Sequence, residues 1–435
     1  MMRMNKEKFI KSAIILMIGG AITKILGMII KIVQTRLVGL EGIALYSLIF
    51  PTFSLFMSMS QLSLPTTISK LVSEDRNNNK LLMFSSLPIV LITNLILMVI
   101  IICSSKTISI YFLKEPRCYL PILSIALVLP FEAISNLLRG YFFGKERMIP
   151  HVISHIIEQI IRFICIILFI PTLLEMNLIY AVTFLILVNL ISEFSSILIL
   201  LFFLPRNIEI RKRDFIPRHR ELSQILSLAI PSTGSRFIGN VGYFLEPIII
   251  TTVLSFLGYT NSYILEEYGI ISGFVIPLLL IPSFFTNAVS QALIPVISRS
   301  YSSGNISYTK KKLKQGILFS FCVGLPVTLF FFFFPEGSLQ LVYHTTKGIS
   351  YMKFLAPFFL FQYIETPLSA SLQAMGKAKE TFTISWQSVL VRSISLILLL
   401  CCGIGMWGFL LSLIVNIFFT IYKSACYLKS ALKGS

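Results

Sequence analysis

The sequence predicts an all-α polytopic membrane protein of about twelve transmembrane helices, in two six-helix lobes related by a parallel pseudo-two-fold repeat. Three observations predict it: an apolar composition, a one-sided distribution of basic residues, and a series of motifs that occurs twice in the same order. Of 435 residues, 55% are hydrophobic and only 13% charged, with 37 Phe and 16 Tyr. Water-soluble domains keep about a quarter of their residues charged. An excess of this size must face lipid.

Twelve apolar runs follow one another at 9–33, 43–64, 81–104, 119–143, 149–171, 178–204, 222–255, 268–294, 314–334, 351–373, 379–402 and 405–427. Each has roughly the 20 residues that a helix needs to cross about 30 Å of hydrocarbon. The first run is longer than the apolar core of a signal peptide and no Ala-x-Ala site follows it, so it reads as an uncleaved span. Of the 37 Lys and Arg, 26 fall at the two ends of the chain and in the loops after even-numbered runs, Arg139 among them. Six (Arg36, Lys106, Lys114, Arg117, Lys347, Lys353) fall in the other loops, and five (Lys24, Lys31, Arg162, Arg236, Arg392) lie inside runs. The positive-inside rule then places both termini in the cytoplasm. The net charge of +18 therefore follows topology and calls for no nucleic acid. The seven cysteines have neither metal-type spacing nor a disulfide framework and read as small core residues.

The repeat is carried by four pairs. Thr23-Lys24-Ile-Leu-Gly27 returns as Ser235-Arg236-Phe-Ile-Gly239, and Leu64-Pro-Thr-Thr-Ile-Ser-Lys70 as Leu293-Ile-Pro-Val-Ile-Ser-Arg299. Glu132 with Gly144-Lys145 returns as Glu365 with Gly376-Lys377, and Arg162 as Arg392. The offset drifts only from 212 to 233 residues. A unit of six spans starts its second copy on the same side of the membrane, and parallel repeats of this kind in transporters enclose a central site near the midplane. The expected organisation is an N-lobe at 1–205, a basic linker at 206–221 lying on the cytoplasmic surface near anionic lipid, and a C-lobe at 222–435.

Polar residues inside the runs are the candidate functional groups, because a charge at membrane depth costs about 2.5–3.5 kcal/mol on insertion scales. At 100° per residue Gly20, Lys24, Gly27 and Lys31 share one helical face, with its two ammonium groups about 10 Å apart. They either snorkel to an interface or meet water and an anion. Arg236, Gly239, Asn240 and Tyr243 form the matching face of the seventh run. If both faces look into a cavity, its lining is cationic: Lys24, Lys31 and Arg236. The fifth run carries His151, His155, Glu158 and Arg162 on one stripe; Glu158 and Arg162 can pair at i, i+4. The two histidines have helical metal spacing but no third ligand, so no metal is expected. Glu132, Asn136 and Arg139 share a face of the fourth run, and Gln362, Glu365 and Ser369 a face of the tenth. Glu132 and Glu365 can serve Arg139, Arg392 or backbone groups. Glu193 and Glu246 are further buried acids and candidates for proton or sodium coupling.

There is no P-loop Gly-Lys-Ser/Thr, no recognisable nucleophile–base pair and no soluble insertion large enough for an active site, so the chain does not read as an enzyme and needs no cofactor. Three classes remain. A flippase for a large anionic substrate needs a cationic cavity, a cation or drug antiporter an acidic one, and a scaffold neither a repeat nor paired polar faces. The basic faces of the first and seventh runs favour the flippase.

These residues resemble the stage V sporulation protein B group of polysaccharide exporters, which stand with the lipid II flippases and the multidrug and toxin extruders in one superfamily. The resemblance is carried by Thr23–Gly27, Gln61-Leu-Ser-Leu-Pro65-Thr-Thr-Ile-Ser-Lys70, Leu138-Arg139-Gly140-Tyr141-Phe-Phe-Gly144-Lys145 and Ile157-Glu158-Gln159-Ile-Ile-Arg162. It continues in Tyr268-Gly269-Ile-Ile-Ser-Gly273, Pro277–Pro282 and Ala292–Ser298, and spans nearly the whole chain. It implies a V-shaped, alternating-access fold in the bacterial cytoplasmic membrane. The implied cargo is an undecaprenyl-pyrophosphate-linked sugar, the class to which peptidoglycan precursors belong. A cation-coupled antiporter of the same superfamily is the alternative. The positions matching the basic cavity lining of the flippases are Lys24 and Arg236, with Lys31 nearby. Relatives often have Arg at the position of Lys24, and many carry two further spans where this chain ends. Bending is expected at Gly19, Gly20, Pro231, Pro247, Pro277 and Pro282, and an ion gradient or the membrane potential is expected to favour one facing state over the other. Membrane lipids and the lipid-linked sugar are the expected partners, and two lobes in one chain make a monomer sufficient.

Overall fold

A computed structural model describes residues 6–73, 79–145, 147–204 and 219–432. The expected linker at 206–221 lies almost wholly outside them. Every regular element among the described residues is helical: α1 (Lys6–Ser60), α2 (Leu64–Ser73), α3 (Asn79–Thr107), α4 (Tyr119–Gly144), α5 (Met148–Met176), α6 (Leu178–Phe202) and α7 (His219–Phe256). There follow α8 (Asn261–Gly269), α9 (Ile276–Leu279), α10 (Ser283–Ser302), α11 (Ile306–Phe333), α12 (Pro335–Tyr343), α13 (Ile349–Ala374), α14 (Ala378–Cys401) and α15 (Trp407–Ala431).

Ten described stretches are long and apolar enough to cross a membrane. The first of them, Ile18–Val72, holds two crossings. A straight helix as long as the 55 residues of α1 would run about 80 Å, far beyond one bilayer. It breaks at Gly39, whose φ of 67° and ψ of −172° only glycine adopts readily. The 26-residue α13, which carries Glu365, completes the twelve. On α3, Leu91, Ile92, Leu95, Ile96, Val99 and Ile102 are exposed, which is the expected state of side chains that face acyl chains rather than water.

The chain falls into two compact units, Met1–Asn240 and Val241–Ser435. The division lies inside α7, because Ile225 and Ala229 of its first turns pack into the apolar core of the first unit. That core joins Leu64, Ile68 and Val72 of α2 to Leu137, Tyr141 and Phe142 of α4. Two glycines of α4 allow the approach. A Cβ on Gly140 would stand 2.6 Å from the Pro65 carbonyl oxygen, and one on Gly144 2.7 Å from that of Ser69. In the second unit Ile297 of α10 packs with Leu368 and Leu372 of α13. The repeated Leu64–Lys70 and Leu293–Arg299 segments thus each lie on the fourth crossing of their own unit. Arg139, counted above among loop charges, sits inside α4 and is only 3% exposed, so it belongs to the site and not to the topological count.

Surface ion pairs repeat as well. Arg117, before α4, holds Glu115 at 2.8 Å and reaches Glu41, just past the Gly39 break, at 2.5 Å. In the second unit Lys347, before α13, pairs with Glu266 of α8, and Tyr351 donates to Glu267 at 2.5 Å. Each tie joins the start of the second crossing of a unit to the segment that precedes its fourth.

Candidate functional site

In the first unit four helical faces converge. Glu132, Ser135, Asn136 and Arg139 lie on one face of α4, with spacings of three, four and seven. His155, Glu158 and Arg162 do so on α5, Asn189, Ser192, Glu193 and Ser196 on α6, and Gly27, Lys31 and Gln34 on α1. Most of these residues, together with Tyr46, Phe50 and Phe53, enclose a cavity of about 420 Å³.

Its wall is a network of charge-assisted hydrogen bonds. Arg139 Nη2 donates to Glu158 Oε2 at 2.7 Å and to Ser196 at 2.7 Å, and lies 3.3 Å from Glu193 Oε2. Arg162 Nη2 donates to Glu158 Oε1 at 2.6 Å and to Ser192 at 3.3 Å. His155 Nδ1 stands 3.2 Å from Glu158 Oε2. Ser135 donates to Glu193. Glu132 Oε1 accepts from Asn136 at 2.7 Å and from Gln61 at 3.2 Å. Glu158, Glu193 and Arg139 are nearly inaccessible, and such groups survive burial only when paired and hydrogen-bonded. Lys31 is half-buried at the wall with its ammonium 5.3 Å from the centre of the Tyr46 ring, a cation–π distance.

The second unit holds a smaller cavity of about 300 Å³, lined by Tyr243, Glu246, Ser272, Gln362, Arg392 and Asn416 among others. Arg392 of α14 pairs with Glu246 of α7, and Tyr268 also faces Glu246, at 3.5 Å. Ser272 belongs to a π-helical turn, Ile270–Val275, between α8 and α9; such turns concentrate at functional sites.

The expected site residues therefore separate. Lys31, Glu132, Glu158, Arg162 and Glu193 meet in the first cavity, and Tyr243, Glu246 and Arg392 in the second. Lys24 and Arg236 are exposed and line neither of these two cavities, and the Asn240 amide donates to the Arg236 carbonyl of its own helix at 3.0 Å. Glu365 also lines neither. Gly19 is a packing contact rather than an open bend, since a Cβ there would meet Val152 at 2.3 Å. Sequence reasoning missed the parts of Gln34, Asn189 and Ser196. The spacing of Asn189, Ser192, Glu193 and Ser196 along α6 is the signal that finds the last two.

Two helical repeats with charged cavities in a lipid-facing shell define a multi-pass membrane transporter. The fold is that of a solved multidrug resistance MATE family transporter of the MOP superfamily in its inward-facing conformation, with a TM-score of 0.79 at 16% identity, covering 95% of this chain and 96% of that one. The model of the polysaccharide biosynthesis protein family matches residues 9–301, and the MatE model matches 241–399. Stage V sporulation protein B of Bacillus subtilis (strain 168) is 33% identical over 404 residues, covering 90% of this chain and 77% of that protein. The lipid II flippase MurJ of the same organism is 22% identical over 420 residues, covering 86% and 74%. The chain belongs to the polysaccharide biosynthesis protein family.

Proposed function

We propose that the protein carries an anionic lipid-linked oligosaccharide, an undecaprenyl-pyrophosphate sugar, across the cytoplasmic membrane by alternating access. One observation carries this reading. Arg139, Arg162 and Arg392 each pair with a carboxylate, whereas Lys24 and Arg236 form no ion pair among the described residues. Cations left without an internal counter-charge in membrane-spanning helices are suited to an anion that arrives from outside. Family membership and the similarity to a lipid II flippase support the same cargo class. In this reading Lys24 and Arg236 replace the water and counterions that the pyrophosphate loses, while the prenyl tail stays in lipid. An ion gradient or the membrane potential biases the two facing states, and both termini lie in the cytoplasm.

The test is flipping of a fluorescent lipid-linked sugar in proteoliposomes. Lys24→Ala and Arg236→Ala are each expected to slow it by about tenfold or more at equal protein content, and normal flipping by both variants sinks the reading. The MatE match over 241–399 and the buried Glu246 favour cation-coupled export of organic cations as the second reading. It predicts proton- or sodium-dependent dye efflux that Glu246→Gln abolishes.

A further inference from the structure

The cavity of the first unit is lined by groups of both signs. Its walls carry three fixed cations, Lys31, Arg139 and Arg162, and three carboxylates, Glu132, Glu158 and Glu193. The site already pairs Arg139 and Arg162 with Glu158 and Glu193, which leaves a pyrophosphate or a bare cation little to gain. At about 420 Å³ it lies in the range of small-molecule pockets and far above the roughly 30 Å³ of one water.

Two polar atoms on its wall are buried without a hydrogen-bond partner: Gln159 Oε1 and Arg162 Nε. Gln34, only 6% exposed, lines the same wall and hydrogen-bonds Tyr46. Leaving such groups unmade costs about 1–3 kcal/mol each. One of the atoms donates and the other accepts, so the complementary ligand must do both, as hydroxyl groups do. The same cavity has an aromatic lining. Tyr46 and Phe50 have ring centres 5.7 Å apart, and Phe50 and Phe53 6.1 Å apart. Such a surface suits the apolar C–H face of a pyranose ring.

We infer that this cavity is a sugar subsite, which receives the neutral ring next to the pyrophosphate of the cargo; the inference rests on the function proposed above. Lys24 and Lys31 are seven residues apart on α1, about 10 Å along its axis. A pyrophosphate held at Lys24 therefore leaves its first sugar within reach of Lys31 and Gln34. The first unit selects the glycan and the exposed cations hold the charge.

The test uses the full chain in lipid nanodiscs and compares two ligands, undecaprenyl pyrophosphate and undecaprenyl-pyrophosphoryl-N-acetylglucosamine, by equilibrium binding. The intact protein is expected to prefer the glycosylated ligand by about tenfold. Gln34→Leu and Gln159→Leu, near-isosteric changes, are each expected to cut that preference to about threefold or less, with affinity for the bare carrier unchanged within about twofold. Equal binding of the two ligands by the intact protein overturns the inference, and so does a preference that survives in both variants. Lys24→Ala reports separately on the parent reading. It should weaken both ligands by the same factor and keep their ratio. If it weakens neither, the phosphate assignment fails while the ratio still decides the sugar subsite.

Discussion

Arg392 of α14 closes on Glu246 of α7, whereas its counterpart in the first half, Arg162, closes on Glu158 one turn earlier in its own helix. The repeat thus keeps the arginine and moves the carboxylate. In the second unit the pair ties two helices 146 residues apart in sequence; in the first, Arg139 of α4 supplies the link between helices.

Removing one partner of the Glu246–Arg392 pair should cost more than removing both. Glu246→Leu leaves a guanidinium without its counter-charge, and Arg392→Leu strands a carboxylate; breaking a buried pair costs about 3–5 kcal/mol. The double variant is expected to melt closer to the parent than either single one. Thermal melts of the four proteins in one detergent give the coupling directly.

Arg139 serves Glu158, Glu193 and Ser196 at once. Arg139→Lys keeps the charge and loses the fork that reaches all three. We expect it to be nearly as unstable as Arg139→Ala, with folded yield after size-exclusion chromatography well below that of the parent. A lysine variant with parental yield and melting temperature contradicts the network.

Gly39 permits the break in α1. Any side chain there meets a backbone conformation that is essentially restricted to glycine, at a cost of about 1–3 kcal/mol. Gly39→Ala is expected to lower the melting temperature by several degrees, although no neighbouring atom stands within 4 Å of the added methyl. Gly140→Ala should be worse for a different reason, since its methyl meets the Pro65 backbone and must displace α2.

Lys24 is exposed and has no carboxylate partner among the described residues. Lys24→Ala should therefore change the melting temperature by less than about 2 °C, as surface changes usually do, while flipping falls. Lys24→Arg should retain transport, because it keeps the cation. Loss of folded protein in Lys24→Ala assigns the residue to packing instead.

Much of the architecture was legible from residue order. Apolar runs set the crossings, and the motif pairs marked a repeat that the packing of α2 on α4 and of α10 on α13 repeats in space. The Glu158–Arg162 pair followed from helical spacing alone. What lay beyond reach was every partner supplied by another helix. Glu193 had no assignable partner until α4 brought Ser135 and Arg139 to it, and Glu246 none until α14 brought Arg392. Arg139 shared a face of the fourth run with Glu132 and Asn136 yet was counted with the loop charges because it stands near the end of that run, although its burial is nearly complete. The break at Gly39 was hidden because a lone glycine after a helical run does not reveal its own torsion angles.

The paired outer ties, Arg117 to Glu41 and Lys347 to Glu266, make both halves answer to the medium in which the protein works. Both leave their side chains partly open to water, and attraction between such groups fades within about 8 Å at physiological ionic strength. Each tie fastens the start of the second crossing of its half, so brine bathing those ends should slacken each half in the same way.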